Sequence, residues 1–265
     1  MCDVTAVGPR TLVGVNEVRL LVIQPDETDP LGPLGDWLSE AGAELDVRLP
    51  PRDELPDSIE GYQAVVCLGG AMSAEDDREH PWLRTVRGLL ASAAGNAVPT
   101  LGVCLGAQLL AVATGGLVGK GERGPEAGPT LVSKKDVAWM DPLFAELPLV
   151  QDVLQFHQDA IERLPSGADL LASSPGYPNQ AFRLNRCVYG IQFHIETTTD
   201  VVRTWARNSP ELAEYARPGA FDNDVLETAH ADIAETWRPF AHRFVELAAG
   251  RIAPAEKPRS SLPVV

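Results

Sequence analysis

Apolar residues fall in short unbroken blocks through the first two-thirds of the chain and in a helical stripe through the last third. Val18 to Ile23 and Tyr62 to Leu68 are blocks of strand length, the second running directly into Gly69-Gly70. Unbroken apolar blocks of this size, bounded by turn residues, read as strands buried on both faces. Val98 to Leu101 continues the series and leads into a tight turn. Leu45 to Arg48 reads as a shorter strand, and Val188 to Glu196 as the last. Between them lie segments with three- and four-residue spacing: Leu34 to Ala43, Pro81 to Ala94 with proline suited to a first turn, and Gln108 to Thr114. Strand alternating with helix predicts an α/β fold, a mainly parallel sheet covered by helices. The Gly- and Pro-rich stretch 115–150 predicts hairpins or loops.

From about residue 199 the texture is helical. Leu226, Ala229, Ile233, Trp237, Phe240, Phe244 and Leu247 recur on one face, with Pro239 as a candidate kink. The expected organisation is a flexible leader over 1–17 and one domain over 18–199. C-terminal helices over 200–250 pack on that domain, and a disordered tail covers 251–265.

Composition narrows the function. With 22 basic against 37 acidic residues the net charge is −15, which disfavours binding to nucleic acid or an anionic membrane surface. No apolar run approaches the roughly 20 residues of a membrane span. The start lacks the cationic-then-apolar order of a secretory signal. Cys2, Cys67, Cys104 and Cys187 form no CxxC pair, and the five histidines are scattered. A cytoplasmic protein with reduced thiols, no metal and no cofactor is expected.

The chemistry concentrates in three places. Gly102-Val103-Cys104-Leu105-Gly106 sets a cysteine between two glycines, after a strand and before a helix. Such an elbow lifts the thiol to the carboxyl end of the sheet and to a helix N-terminus, whose dipole favours a thiolate. It also aims the Leu105 backbone N–H at a developing oxyanion. In Gln192-Phe193-His194-Ile195-Glu196, the extended alternation puts Gln192, His194 and Glu196 on one side and Phe193 and Ile195 on the core side. His194 is thereby a candidate base for Cys104, with Glu196 holding its tautomer. Gly69 and Gly70, directly after a strand, are candidates for the remaining oxyanion donors. Cys67 and Cys187 read as structural.

These segments, in this order and spacing, resemble the triad-type class I glutamine amidotransferase family. The similarity is greatest to its stand-alone branch related to the amidotransferase domain of GMP synthetase, and it runs from about Val18 to Glu196. Glu126-Ala127-Gly128, Phe156-His157-Gln158-Asp159 and Gln180-Ala181-Phe182 match weaker pieces of that branch. The resemblance implies a flavodoxin-like α/β fold with helices on both faces of the sheet, and a cysteine-dependent hydrolase that forms a γ-glutamyl thioester on Cys104. It also implies substrate contacts from Gln108 and from the 156–159 segment, hence His157, Gln158 and Asp159. The chain departs from the family at Ile195, commonly proline, and at Ala107, commonly larger.

The expected activity is release of ammonia from glutamine for a separate synthetase, since the chain has no GxxxxGK[ST] segment of its own. Two alternatives stay open: a free-standing hydrolase of γ-glutamyl amines or peptides, and a catalytically idle binding module. The leaving group, the partner and the oligomeric state are not readable from the residues.

Overall fold

The computed structural model of the chain describes residues 18–256. The expected leader, 1–17, and residues 257–265 lie outside the described residues. In chain order the first elements are β1 (Val18–Ile23), α1 (Gly32–Glu40), β2 (Ala43–Arg48), β3 (Ala64–Cys67), α2 (Leu83–Gly95), β4 (Thr100–Val103) and α3 (Leu105–Ala113). There follow β5 (Leu117–Lys120), β6 (Glu126–Lys134), a 3-10 turn (Asp136–Met140), β7 (Val150–His157), β8 (Asp159–Arg163), β9 (Asp169–Ser173), β10 (Ala181–Leu184) and β11 (Val188–Ile191). The helices α4 (Thr199–Asn208), α5 (Pro210–Ala213) and α6 (Asn223–Ala248) complete the fold.

One sheet of nine strands, in the order β2-β1-β3-β4-β11-β10-β9-β6-β7, carries the molecule. The first five strands pair in parallel, which is the flavodoxin-like α/β half. Beyond β11 every pairing is antiparallel. The 115–150 stretch, expected as hairpins, supplies β6 to this extension and β5 to a separate ribbon with β8. The strands β3, β4 and β11 are buried from end to end, and β1 is buried at all but one position, so their sequences are unbroken apolar runs. At the sheet edge β2 is half exposed, which is why only part of it is legible as a strand.

Helices α2 and α3 pack together, as do α1 and α6, and these pairs cover the sheet. α2 buries Leu83, Val86, Leu89, Leu90, Ala93 and Ala94 at three- and four-residue steps. In α6 the residues of the stripe Leu226, Ile233, Trp237, Phe240, Phe244 and Leu247 are buried, and the helix runs through Pro239. Phe193, after β11, packs on Trp237 with ring centroids 5.2 Å apart. No helix among the described residues is long and apolar enough to cross a membrane.

Three expectations are corrected. The helix after the elbow starts at Leu105 and not at Gln108, because nothing in 105–107 prevents helical geometry and the small residues there let it seat on β3. The last parallel strand stops at Ile191 and not at Glu196. Residues 251–256, expected as part of a disordered tail, are held in place. Ala255 is buried, its N–H donates to the Arg186 carbonyl at 3.0 Å, and Arg186 Nε donates to the Ala255 carbonyl at 2.7 Å.

Candidate active site

In an open parallel sheet, ligands gather outside the carboxyl ends of the strands, at the point where strand order reverses. That reversal falls between β1 and β3 here. Four loops leave the carboxyl ends of β1, β3, β4 and β11 at this edge. They carry Asp26 and Asp29, Gly69 and Gly70, Cys104, and the 192–196 segment.

Cys104 forms the elbow at the end of β4. Its backbone has φ 49° and ψ −110°, a conformation that strains any residue with a Cβ and is characteristic of functional turns. Two bonds hold it there: its N–H donates to the Ile191 carbonyl at 2.8 Å, and its own carbonyl accepts from Gln108 N–H at 3.0 Å. The flanking glycines are required by close approach. A Cβ on Gly106 would lie 2.0 Å from the Cys67 carbonyl oxygen, and one on Gly102 would lie 2.6 Å from the Gly106 oxygen. Both contacts are with backbone, so α3 could not pack this tightly on β3 and β4 with larger residues.

His194 does not lie on a sheet strand, yet the alternation expected of one persists. It forms a single bridge to Leu154 of β7, its N–H donating at 2.8 Å and its carbonyl accepting at 3.2 Å. Phe193 and Ile195 point into the core, while His194 and Glu196 meet each other. His194 Nδ1 donates to Glu196 Oε1 at 2.6 Å. Glu196 Oε2 accepts from the Ile195 N–H at 2.8 Å, a bond that a proline at 195 could not make. The other ring nitrogen, Nε2, is buried without a hydrogen-bond partner among the described residues, and His194 and Cys104 line one cavity. Burial alone would push the imidazole pKa down, but the Glu196 carboxylate and the Cys104 sulfur outweigh it and hold the pKa well above its ordinary value. The indole of Trp205, on α4, lies against the imidazole with centroids 4.7 Å apart, and its N–H donates to the Thr28 carbonyl at 2.9 Å.

The cavity holds about 460 Å³. Gly70 lines it beside Cys104, and Leu105 follows Cys104 as the first residue of α3. Gly69 sits one step deeper. A Cβ there would be 2.5 Å from Asp29 Oδ2 and 3.1 Å from His194 Cε1, so it is a spacer between the two side chains. Gln108 Nε2 donates to the Asp159 carbonyl at 2.9 Å and to Gln192 Oε1 at 3.3 Å, and Gln192 Nε2 reaches Cys104 Sγ at 3.8 Å. His157, Gln158 and Asp159 all border the cavity, but the His157 ring is already engaged. Its Nδ1 is 3.0 Å from the Asp159 carbonyl and its Nε2 3.2 Å from Glu126 Oε2. Glu126 also accepts from Ser174 Oγ and from Gln180 Nε2, tying the three weaker motifs into one network behind the 156–159 segment. Cys67 and Cys187 are buried away from the cavity, and burial pushes both thiols up, Cys187 to about 11.

Sequence reasoning missed Asp26, Asp29 and Trp205. Asp29 is buried, and burial is the main reason its carboxyl is raised from 3.8 to about 7. The imidazolium of His194 opposes that rise, while Asp26 and Glu196 add to it. Its position in the loop after the first parallel strand was the available signal. Trp205 had none, because only the fold brings α4 over His194. The loop carrying Glu196 is itself tied to α6, Thr197 Oγ1 lying 3.0 Å from His230 Nε2.

The model of the family described as glutamine amidotransferase class-I matches residues 36–204. Among solved structures, a glutamine amidotransferase from Thermotoga maritima superposes with a TM-score of 0.75 at 30% identity, over 88% of this chain and 98% of that one. A glutamine amidotransferase from Methylobacillus flagellatus gives 0.75 at 27% identity, over 92% and 99%. Among curated proteins, a subunit of the glutamine-hydrolysing GMP synthase of Pyrococcus abyssi is 36% identical over 121 residues, 43% of this chain and 62% of that one. The GMP synthase of Lactococcus lactis subsp. cremoris is 37% identical over 119 residues, and the match spans only 22% of its length.

Proposed function

Since the chain belongs to the class-I glutamine amidotransferase family, we propose that it hydrolyses a γ-glutamyl amide bond through a thioester on Cys104. One observation carries this reading. His194 has one nitrogen anchored on Glu196 and the other bare and buried, in the cavity that Cys104 lines. That arrangement suits a base that takes the thiol proton and later returns it to a leaving nitrogen.

Cys104 Sγ attacks the Cδ carbonyl carbon and the C–S bond forms. The negative charge that develops on oxygen is received by backbone N–H groups of Gly70 and Leu105, with Gly69 supporting the turn. Each such donor is worth about 3 kcal/mol in the transition state. As the intermediate collapses the C–N bond breaks, and the proton held on His194 Nε2 passes to the departing amine. A water molecule, deprotonated by His194, then cleaves the thioester and releases glutamate. Gln108 and Gln192 brace the floor of the cavity. Gln158 and Asp159 meet the glutamyl end, Asp159 being suited to the α-ammonium, while His157 shapes that segment from behind.

Two fates of the amine are supported by different observations. Kinship with the Pyrococcus abyssi GMP synthase subunit supports ammonia as the leaving group, passed to a separate synthetase. The extent of the cavity, which runs past Cys104 beneath α4 and α5, supports a free-standing hydrolase of larger γ-glutamyl amines. The test is glutamate release from glutamine and from γ-glutamyl amides, together with labelling by a diazo-ketone analogue of glutamine. Modification of Cys104 and loss of release in Cys104→Ala are expected. A folded protein that binds glutamine while Cys104 stays unmodified would refute the proposal.

A further inference from the structure

Some acidic side chains of this protein are paired with arginine and some are not. Away from the cavity, the shielded carboxylates of Asp46, Asp77, Asp141 and Asp169 each have a guanidinium partner: Arg19 and Arg48 for Asp46, Arg87 for Asp77, Arg183 for Asp141 and Asp169. The carboxylates that line the cavity have none among the described residues. Asp26 accepts only from Thr28 and from the Ala71 N–H, Asp29 only from the Thr28 hydroxyl at 3.4 Å, and Asp159 only from the Ser73 hydroxyl at 2.6 Å. Glu211 stands exposed at the mouth on α5. No lysine or arginine is among the described residues that line the cavity.

A glutamyl group does not account for the unpaired carboxylates. Its α-ammonium and α-carboxylate cancel, and Asp159 at the 156–159 segment is enough for the ammonium. Asp26, Asp29 and Glu211 remain. Asp29 approaches His194 across Gly69, and the roof that bears Glu211 also bears Trp205, whose ring lies against His194. His194 is the group that hands a proton to the departing nitrogen, and Asp29 and the Trp205 roof lie beside it. The one cation beside them is the imidazolium, which is lost and regained in each cycle. Trp205 and Phe156 add aromatic faces suited to an alkyl chain or an ammonium. The bare His194 Nε2 marks the same cavity as built for a ligand.

We propose that the amine released at Cys104 carries a second positive charge, so that the preferred substrates are γ-glutamyl conjugates of diamines and similar amines with a cationic tail. This rests on the γ-glutamyl hydrolase reading above. The cleavage is the same hydrolysis: the C–N bond breaks, His194 protonates the departing nitrogen, and glutamate and a diamine leave. The tail ammonium meets Asp26, Asp29 and Glu211. The raised carboxyl of Asp29 agrees with a group that lacks its counter-ion until such a substrate arrives.

The experiment compares kcat/KM for four substrates with the full chain: γ-glutamyl-1,4-diaminobutane, γ-glutamyl-butylamide, the γ-glutamyl conjugate of 4-aminobutanoate, and glutamine. The first three share a four-carbon chain on the amide nitrogen and differ in tail charge. The diamine conjugate is expected to exceed the butylamide at least tenfold at low salt, and the butylamide to exceed the anionic conjugate. The ratio of diamine to butylamide should shrink as salt rises. Glu211→Gln, at an exposed position, should reduce that ratio through KM. Equal kcat/KM for diamine and butylamide, or hydrolysis of glutamine alone, would overturn the inference while leaving the hydrolase reading intact. No glutamate from any of the four, with Cys104 unlabelled, would overturn both.

Discussion

Asp29→Asn tests the electrostatics of the site through stability. The Asp29 carboxyl is 7% exposed and its pKa is raised from 3.8 to about 7, chiefly by burial. Over that interval the folded chain binds a proton that the unfolded chain has released. The contribution of this group to stability is therefore fully present below pH 3.8 and is lost as pH rises to 7. Three pKa units at 1.36 kcal/mol each correspond to about 4 kcal/mol, of which about 2 kcal/mol falls between pH 5.5 and 8. Asparagine has no charge to bury. Any difference in its hydrogen bonding shifts stability by a constant, so the informative quantity is the slope. Melting temperatures of the two proteins, measured from pH 5.5 to 8, should diverge by about 4 °C in favour of Asp29→Asn as pH rises, at about 2 °C per kcal/mol for a chain of this size. Parallel curves would refute the argument and place the Asp29 carboxylate in an environment that solvates it. Greater stability at high pH with poorer turnover of cationic substrates is the exchange expected of a functional carboxylate.

Other outcomes follow from the same geometry. Cys104→Ala and Cys104→Gly should both abolish glutamate release, but glycine alone relieves the backbone held at φ 49°. It should be more stable than the alanine variant by about 1 kcal/mol, and a lower melt would argue against strain at the elbow. Glu196→Gln keeps the shape of the side chain but removes its charge, and should slow glutamate release about 10²- to 10⁴-fold while Cys104 remains alkylatable. Unchanged turnover would take Glu196 out of the mechanism. Gly106→Ala drives a Cβ to 2.0 Å from the Cys67 carbonyl, so the melting temperature should fall by several degrees with loss of thiol labelling. A variant as stable and reactive as the parent would show that α3 can move off β3.

Much of the fold is legible in the sequence because its signals are local. The end-to-end burial of β3, β4 and β11 leaves unbroken apolar runs, and α6 repeats its stripe along its 26 residues. Edge strand β2 is only partly readable, since none of its side chains is fully buried. The turn-rich composition of 115–150 points to hairpins, but that β6 and β7 continue the same sheet is a pairing between distant segments that carries no local mark.

The candidate site divides the same way. The local contact of Gly102 with the Gly106 backbone marked the elbow at Cys104, and a two-residue spacing determined that His194 and Glu196 share a face. Both are properties of the chain alone. The sheet strand expected through Glu196 ends at Ile191, yet the contact survives, because the bridge to Leu154 keeps the segment stretched. The strand order decided the rest. By setting β1 beside β3, and β4 beside β11, it delivered Asp29, Gly70, Cys104 and His194 to one edge, and it folded α4 back so that Trp205 covers the imidazole. The burial that raises Asp29, and the want of a cation near it, belong to no segment of sequence. They arise where desolvation and charge act through space between residues far apart in the chain.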